Sequence, residues 1–117
     1  MKKIYLAIPY TFNAELSYQI ANEVAAAAMI AGHIVFSPIS HGHSVAEFLD
    51  EKLRYDQKFW MKQCLPMVEW CDELHVISIG ENGLKLIEES KGCQSELSIA
   101  KDHNKTIKII EWPSSLE

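Results

Sequence analysis

The chain has 117 residues, 48% of them hydrophobic and 23% charged, which is the length of one domain with a real core and the composition of an ordinary soluble globular protein. A formal net charge of −5, with no basic cluster beyond Lys2-Lys3, argues against a binder of phosphate backbones, so no nucleic-acid partner is expected. No apolar run approaches the ~20 residues of a membrane span, and Met1-Lys2-Lys3 leads straight into a strand pattern, so the expectation is a cytoplasmic protein without a membrane partner.

Lys3 to Ile8 is a short, apolar, β-prone run halted by Pro9, as expected of a strand buried on both faces. After a loop, Pro9 to Asn13, the apolar residues Leu16, Ile20, Val24, Ala27, Ala28 and Ala31 recur at three and four and predict a helix over Ala14 to Ala31, with Gly32 as its stop. His33 to Phe36 reads as a second strand ending at Ser37-Pro38, laid parallel to the first by a right-handed crossover. Ile39 to Tyr55, which contains His41-Gly42-His43, has no clear period and reads as an irregular loop or short-helix region. Asp56 to Cys71 is helical, with Trp60, Cys64, Met67 or Val68, and Cys71 on one face and Pro66 inside. Leu74 to Ile79 is a third strand, and Gly80 to Glu89 a loop with a helical turn at Leu84 to Glu88. A last helix runs from Gly92 to His103, with Leu97 and Ala100 inward and Asn104 as its stop, before a fourth strand, Ile107 to Ile110. Trp112-Pro113 begins a polar tail.

This alternation predicts a single three-layer α/β domain, residues 1–117, around a parallel sheet. Ligands of such sheets bind beyond the carboxyl ends of the strands. That edge gathers Ile8 to Phe12, Ser37 to His43, Gly80 to Gly83 and Ser90 to Glu96.

Ser90 to Ala100 is the chemically suggestive stretch, because a helix start offers unpaired amides and a positive dipole that keep a carboxylate one turn in, Glu96, ionised and aimed at the loop. On residues alone, Glu96 equally complements the dipole, worth about 0.3–1 kcal/mol, and Ser90 equally serves as a cap. His41 and His43 lack a matching third ligand, so no metal is expected and the pair reads as loop or substrate contact. Tyr5 and Tyr10 stand between core aromatics and site residues. The Trp60, Cys64, Met67, Cys71 stripe reads as core. Cys64, Cys71 and Cys93 form an odd set without C-x-x-C spacing and read as reduced thiols.

Taken together, Ile4-Tyr5-Leu6-Ala7-Ile8-Pro9-Tyr10 and Ser90-x-Gly92-x-x-x-Glu96 followed by Ala100 and Lys105 resemble the nucleoside 2-deoxyribosyltransferase family, including its deoxynucleotide N-hydrolases. Asp72-Glu73-Leu74, Phe36-Ser37-Pro38 and the Asp56 to Trp60 stretch are similar to small uncharacterised relatives, some phage-encoded. The resemblance implies a Rossmann-like (flavodoxin-like) fold with four to five parallel strands, no cofactor, a nucleoside or nucleotide as small-molecule partner, and a homodimer or higher assembly. It implies that Glu96 is the nucleophile that carries the sugar as a covalent ester, with the logic of a retaining glycosidase. Tyr5 would orient that carboxylate, and Ser90 and Gly92 would contact substrate along with Ile8, Pro9 and Tyr10 of the first loop and His41 and His43.

The chain departs from the family at two places. The family's helix Asp falls on Cys64 here, so either Asp56 takes a catalytic role or classical transferase activity is lost. The first loop lacks the Gly- and Arg-containing phosphate loop of the nucleotide hydrolases. The expected function is cleavage or exchange of an N-glycosidic bond; the alternatives are a non-catalytic nucleotide-binding or sensing module, or an interaction protein using Ile39 to Tyr55.

Overall fold

The computed structural model describes residues 1–113. Its elements in chain order are β1 (Lys3–Ala7), α1 (Ala14–Ile30), β2 (Ile34–Phe36), α2 (Pro38–Ala46), α3 (Glu51–Arg54), α4 (Gln57–Trp70), β3 (Glu73–Ile79), α5 (Gly83–Glu89), α6 (Lys91–Asp102) and β4 (Thr106–Trp112). The four strands form one all-parallel sheet in the order β2-β1-β3-β4. This is the α/β, Rossmann-like architecture expected, at the lower of the two strand counts. The chain steps from β1 to β2 on one side and then returns across β1 to β3, so the topological switch point lies between β1 and β3.

Strand alternation divides the core. Tyr5 and Ala7 of β1, with Leu74 and Val76 of β3, face a layer holding Cys64, Val68 and Cys71 from the α4 region and Cys93 and Ala100 of α6. Leu6 and Ile8, with Ile77 and Ile79, face α1 through Ile20, Ala21 and Ala25. The buried face of α1 is Ser17, Ile20, Ala21 and Ala25, turned from the expected stripe, whose Ala27 and Ala31 are exposed. Four consecutive alanines, Ala25 to Ala28, carry no apolar contrast from which a phase can be read, and the smallest side chains allow the closest helix–sheet approach.

The segment read as irregular, Ile39 to Tyr55, contains two helices. Their starts follow ordinary capping chemistry: Ser37 Oγ accepts from Ser40 N at 3.4 Å with Pro38 at the first helical position, and Asp50 Oδ1 accepts from Leu53 N at 3.1 Å. The periodicity is missing because Val45, Phe48, Leu53 and Tyr55 are all exposed. Polar hooks anchor the segment instead: Arg54 Nε donates to Ala46 O at 2.9 Å, and Trp60 Nε1 donates to Arg54 O at 2.8 Å. Gly42 lets Trp60 lie directly against α2, since a β-carbon there would stand 3.1 Å from its ring. The predicted loop over Gly80 to Glu89 is likewise mostly helix α5, whose cap residue Asn82 makes no side-chain cap bond and left no start signal.

Beneath the sheet, at the amino end of β3, Glu73 is buried and held by Lys2 Nζ at 2.5 Å, His75 Nε2 at 2.9 Å and Lys108 Nζ at 3.3 Å. Its hydrogen bonds to Lys2 and His75 hold its carboxyl down at about 2. Among the described residues no helix is long and apolar enough to cross a membrane.

At the opposite end of β3, Gly83 opens α5 against the strand: a β-carbon there would fall 2.0 Å from Ser78 Oγ and 2.7 Å from the Ser78 carbonyl carbon. The hydroxyl can rotate away but the backbone cannot. Gly83→Ala is therefore expected to destabilise the fold by about 1–3 kcal/mol, read as a shift in the urea midpoint at unchanged slope; an unchanged midpoint would refute the close packing of α5 on β3.

Candidate functional site

Glu96 lies in the middle of the buried face of α6, between Cys93 and Ala100. Docking that face on the sheet brings its carboxylate under β1, where the Tyr5 hydroxyl donates a hydrogen bond to Oε2. Both residues are enclosed, Tyr5 at 0% and Glu96 at 5% exposure. The phenol is directed there by strand alternation, and it is braced by Phe36, its partner in the β1–β2 register, with ring centroids 5.7 Å apart.

The electrostatics differ from the sequence-based expectation. A carboxylate near a helix N-terminus was expected to stay ionised, but burial pushes Glu96 up to about 7, against the opposing pull of the Tyr5 hydrogen bond. Desolvation wins because the side chain points into the packed interface rather than out over the loop. Two thiols flank it. Burial first, and the nearby Glu96 second, push Cys64 up to about 11 and Cys93 up to about 12, so both are neutral near pH 7. Cys64 was anticipated here as a departure from the family's carboxylate. Cys93 was not singled out, although it shares the helix face of Glu96 three residues earlier.

Ser90 joins α5 to α6 and caps the latter, its Oγ accepting from Cys93 N at 3.2 Å. It also lines a shallow cleft of about 160 Å³ with Pro9, Thr11, Phe12, Leu86 and Glu89. Pro9 and Ser90, proposed from separate parts of the chain, thus share one cavity. Ser17, which no motif marked, holds the Pro9 side by donating to Pro9 O at 2.6 Å. Gly92 leaves room above the first turn of α6: a β-carbon there would meet nothing closer than Gln57 Nε2 at 3.8 Å. Ile8 is buried in the α1-side core and does not line this cleft. A larger hollow, about 390 Å³, lies at the ends of β3 and β4 among Ser78, Gly80, Glu81 and Trp112, and includes none of these residues.

Asp56, expected as a catalytic carboxylate, is instead an exposed N-cap: its Oδ1 accepts from Lys58 N at 3.0 Å and Phe59 N at 3.4 Å. The structure brings Tyr5 to Glu96 and does not bring Asp56 there. His41 and His43 also separate, because residues two apart on a helix do not face the same way. His41 stands beside Phe36, with centroids 6.4 Å apart. His43 turns to Tyr10 and α1: Tyr10 Oη is 2.6 Å from its Nδ1, Tyr18 stacks on its ring at 4.1 Å, and Glu15 Oε2 is 3.3 Å from Nε2. Among the described residues no group of three or more His, Cys, Asp or Glu is arranged to hold a metal ion.

A family model described as a domain of unknown function, DUF1937, matches residues 2–112. This chain belongs to the DUF1937 family. No curated protein matches the DUF1937 chain in sequence. Among solved structures, a 2-deoxyribosyltransferase from the psychrotolerant bacterium Bacillus psychrosaccharolyticus superposes with a TM-score of 0.66 at 25% identity, covering 97% of this chain and 74% of that one. A 2-deoxyribosyltransferase from Leishmania mexicana gives 0.63 at 17% identity, covering 95% of this chain and 65% of that one, so DUF1937 spans just under two thirds of its length. The domain is nucleoside 2-deoxyribosyltransferase-like, as its motifs implied.

The raised Glu96 carboxyl sets a sign for stability against pH. Between its ordinary value of 4.5 and about 7 the folded chain keeps a proton that the unfolded chain has released, so this residue's contribution to stability falls as pH rises through that window and levels off above it. Glu96→Gln removes the titration, and the variant should gain on wild type by up to about 3 kcal/mol between pH 5 and 8. Thermal unfolding at stepped pH measures this; parallel curves for the two proteins would show that Glu96 ionises in the fold at little cost.

Proposed function

We propose that this DUF1937 protein cleaves or exchanges the N-glycosidic bond of a nucleoside, a nucleotide or a related ribosyl compound through a covalent glycosyl-Glu96 intermediate. The observation that carries this reading is the buried Tyr5–Glu96 pair, on the helix whose cap, Ser90, lines a cleft together with Pro9. The relatives named as 2-deoxyribosyltransferases support the same chemistry at the level of the fold.

In this mechanism the ionised Glu96 attacks the anomeric carbon as the base departs, and Tyr5 holds the carboxylate oxygen in line. The resulting ester is resolved by water in a hydrolase or by a second base in a transferase. Ser90, the cap of α6, lines the cleft and suits a sugar hydroxyl or a phosphate. At about 160 Å³ the cleft is small beside the roughly 300–1,000 Å³ of ordinary ligand pockets, which supports a homo-oligomer whose neighbouring subunit completes it. The three free, buried thiols suit a reducing, cytoplasmic setting.

A second reading, a binding or sensing module without turnover, is favoured by the two neutral thiols beside Glu96, where a second carboxylate would otherwise serve as acid or base. Calorimetry would then show ligand stabilisation with no product.

Three measurements decide between them. Wild type should release free base from a panel of nucleosides and nucleotides, and gain a sugar-sized mass with a slow 2-fluoro substrate, while Glu96→Ala loses on the order of 10³-fold or more in rate. Because Glu96 must be ionised to attack, kcat/KM should rise with pH through about 7. Tyr5→Phe removes the bond that lowers this carboxyl, so its acid limb should move to higher pH. Identical behaviour of wild type and Glu96→Ala across the panel sinks the proposal.

A further inference from the structure

The larger hollow at the carboxyl end of the sheet, about 390 Å³, has the volume of an ordinary ligand pocket, roughly 300–1,000 Å³. It lies at the ends of β3 and β4, on the edge where parallel α/β sheets bind ligands. Backbone contacts fix its rim. Gly80 leaves β3 with a φ of +69°, in the left-handed region. Its N–H donates to Trp112 O at 2.9 Å, and its carbonyl accepts from Gly83 N at 3.2 Å. Gly83 in turn lies so close to Ser78 that no β-carbon fits between them. The turn after β3, the last residue of β4 and the start of α5 are thereby tied together.

The chemistry of this rim is one-sided. Glu81 and Glu111 line the hollow and no Lys, Arg or His does. Neither carboxylate makes an ion pair among the described residues. Trp112, packed in part against the α1-side core, and Leu84, 62% exposed, supply an apolar wall. Ser78 is the group that calls for a ligand. As the register partner of Glu111 it faces the same side of the sheet, and it is buried, at 7% exposure. Among the described residues its Oγ has no hydrogen-bond partner, and none of their sealed side-chain oxygens or nitrogens lacks one, so the hydroxyl opens into the hollow it lines. A buried hydroxyl left unpaired is unfavourable, and a donor arriving from a ligand removes that penalty.

We propose that this hollow is a second binding site, for a small organic cation: an ammonium, amidinium or guanidinium group carried on a flat or apolar body. The cationic group pairs with Glu81 and Glu111 and donates to Ser78 Oγ, and the body rests on Trp112 and Leu84. An anion, a nucleotide phosphate included, would meet two carboxylates and no counter-charge, which separates this site from the cleft beside Ser90. The site does not depend on the glycosyl-Glu96 reading.

Benzamidine is the probe, with neutral benzamide and anionic benzoate as its near-isosteres, titrated into the full chain at neutral pH and low salt. Amide proton–nitrogen NMR spectra should show saturable shifts centred on Gly80, Glu81 and the Trp112 indole, with a Kd on the order of 0.1–1 mM. Benzamide and benzoate should bind at least about 10-fold more weakly. Replacing both carboxylates, Glu81→Gln with Glu111→Gln, should weaken benzamidine about 10-fold, and Ser78→Ala about 3-fold. Glu89→Gln, in the other cleft, should leave its affinity unchanged. Because an unpaired hydroxyl holds nothing in place, Ser78→Ala should also keep or raise the urea midpoint. Absence of saturation, equal binding of benzamidine and benzamide, or shifts scattered over the whole surface would each overturn the site. So would a loss of binding in Glu89→Gln, or a lowered midpoint in Ser78→Ala, which would mean that the hydroxyl is already engaged within the fold.

Discussion

A carboxylate on the inner face of a helix loses its hydration when that helix docks, and at Glu96 the bond donated by Tyr5 replaces part of what water supplied. The rest of the structure serves this contact. Tyr5 reaches it only because β1 runs through the middle of the sheet with alternate residues assigned to opposite layers. Glu96 reaches it only because α6 presents Cys93, Glu96 and Ala100 together, and Ser90 fixes where that helix begins. A shift of one residue in the register of β1 would turn Tyr5 toward α1 and leave a buried carboxylate without its donor.

The parts of the fold legible in the sequence were those where period and burial coincide. β1 and β3 are apolar on both faces because helices cover both, and their runs stand out without any alignment. The first half of the crossover from β2 to β3 was illegible for the opposite reason. Phe48 and Tyr55 are exposed at 89% and 75%, so α2 and α3 carry no stripe, and hydrophobic pattern cannot find helices that polar hooks hold. Their caps were nonetheless written in Ser37-Pro38 and Asp50. Ser37-Pro38 was read only as the end of a strand, although a serine followed by proline ends one element and begins the next with the same two residues.

The site shows the same division. Tyr5 and Glu96, singled out by motifs from distant parts of the chain, meet in the structure, and Pro9 and Ser90 line one cleft. What the motifs could not convey was depth. Placing Glu96 one helical turn in suggests a dipole-stabilised anion, yet whether the side chain looks along the helix axis or across it into a neighbouring layer depends on how α6 rotates against the sheet. That rotation is set by Cys93 and Ala100, two small residues whose value lies in letting the helix approach closely. Asp56 shows the converse: a carboxylate in a suggestive position that is exposed and whose Oδ1 caps its own helix through two backbone amides.

Under the proposed glycosyl-Glu96 reading, burial near neutrality also gives the nucleophile a reason to sit where it does. A fully hydrated glutamate would be ionised throughout the neutral range, but strongly solvated and correspondingly slow to give up that solvation for a sugar carbon. Deep in the interface the same group is costly to ionise, and once ionised it has one fixed donor to hold it rather than a shell of water to strip away. Raising the carboxyl also improves the ester's prospects in formation, because a more basic oxygen is a better nucleophile, and slows its departure for the same reason. The balance between attack and release therefore rests on how strongly Tyr5 withdraws charge from Glu96.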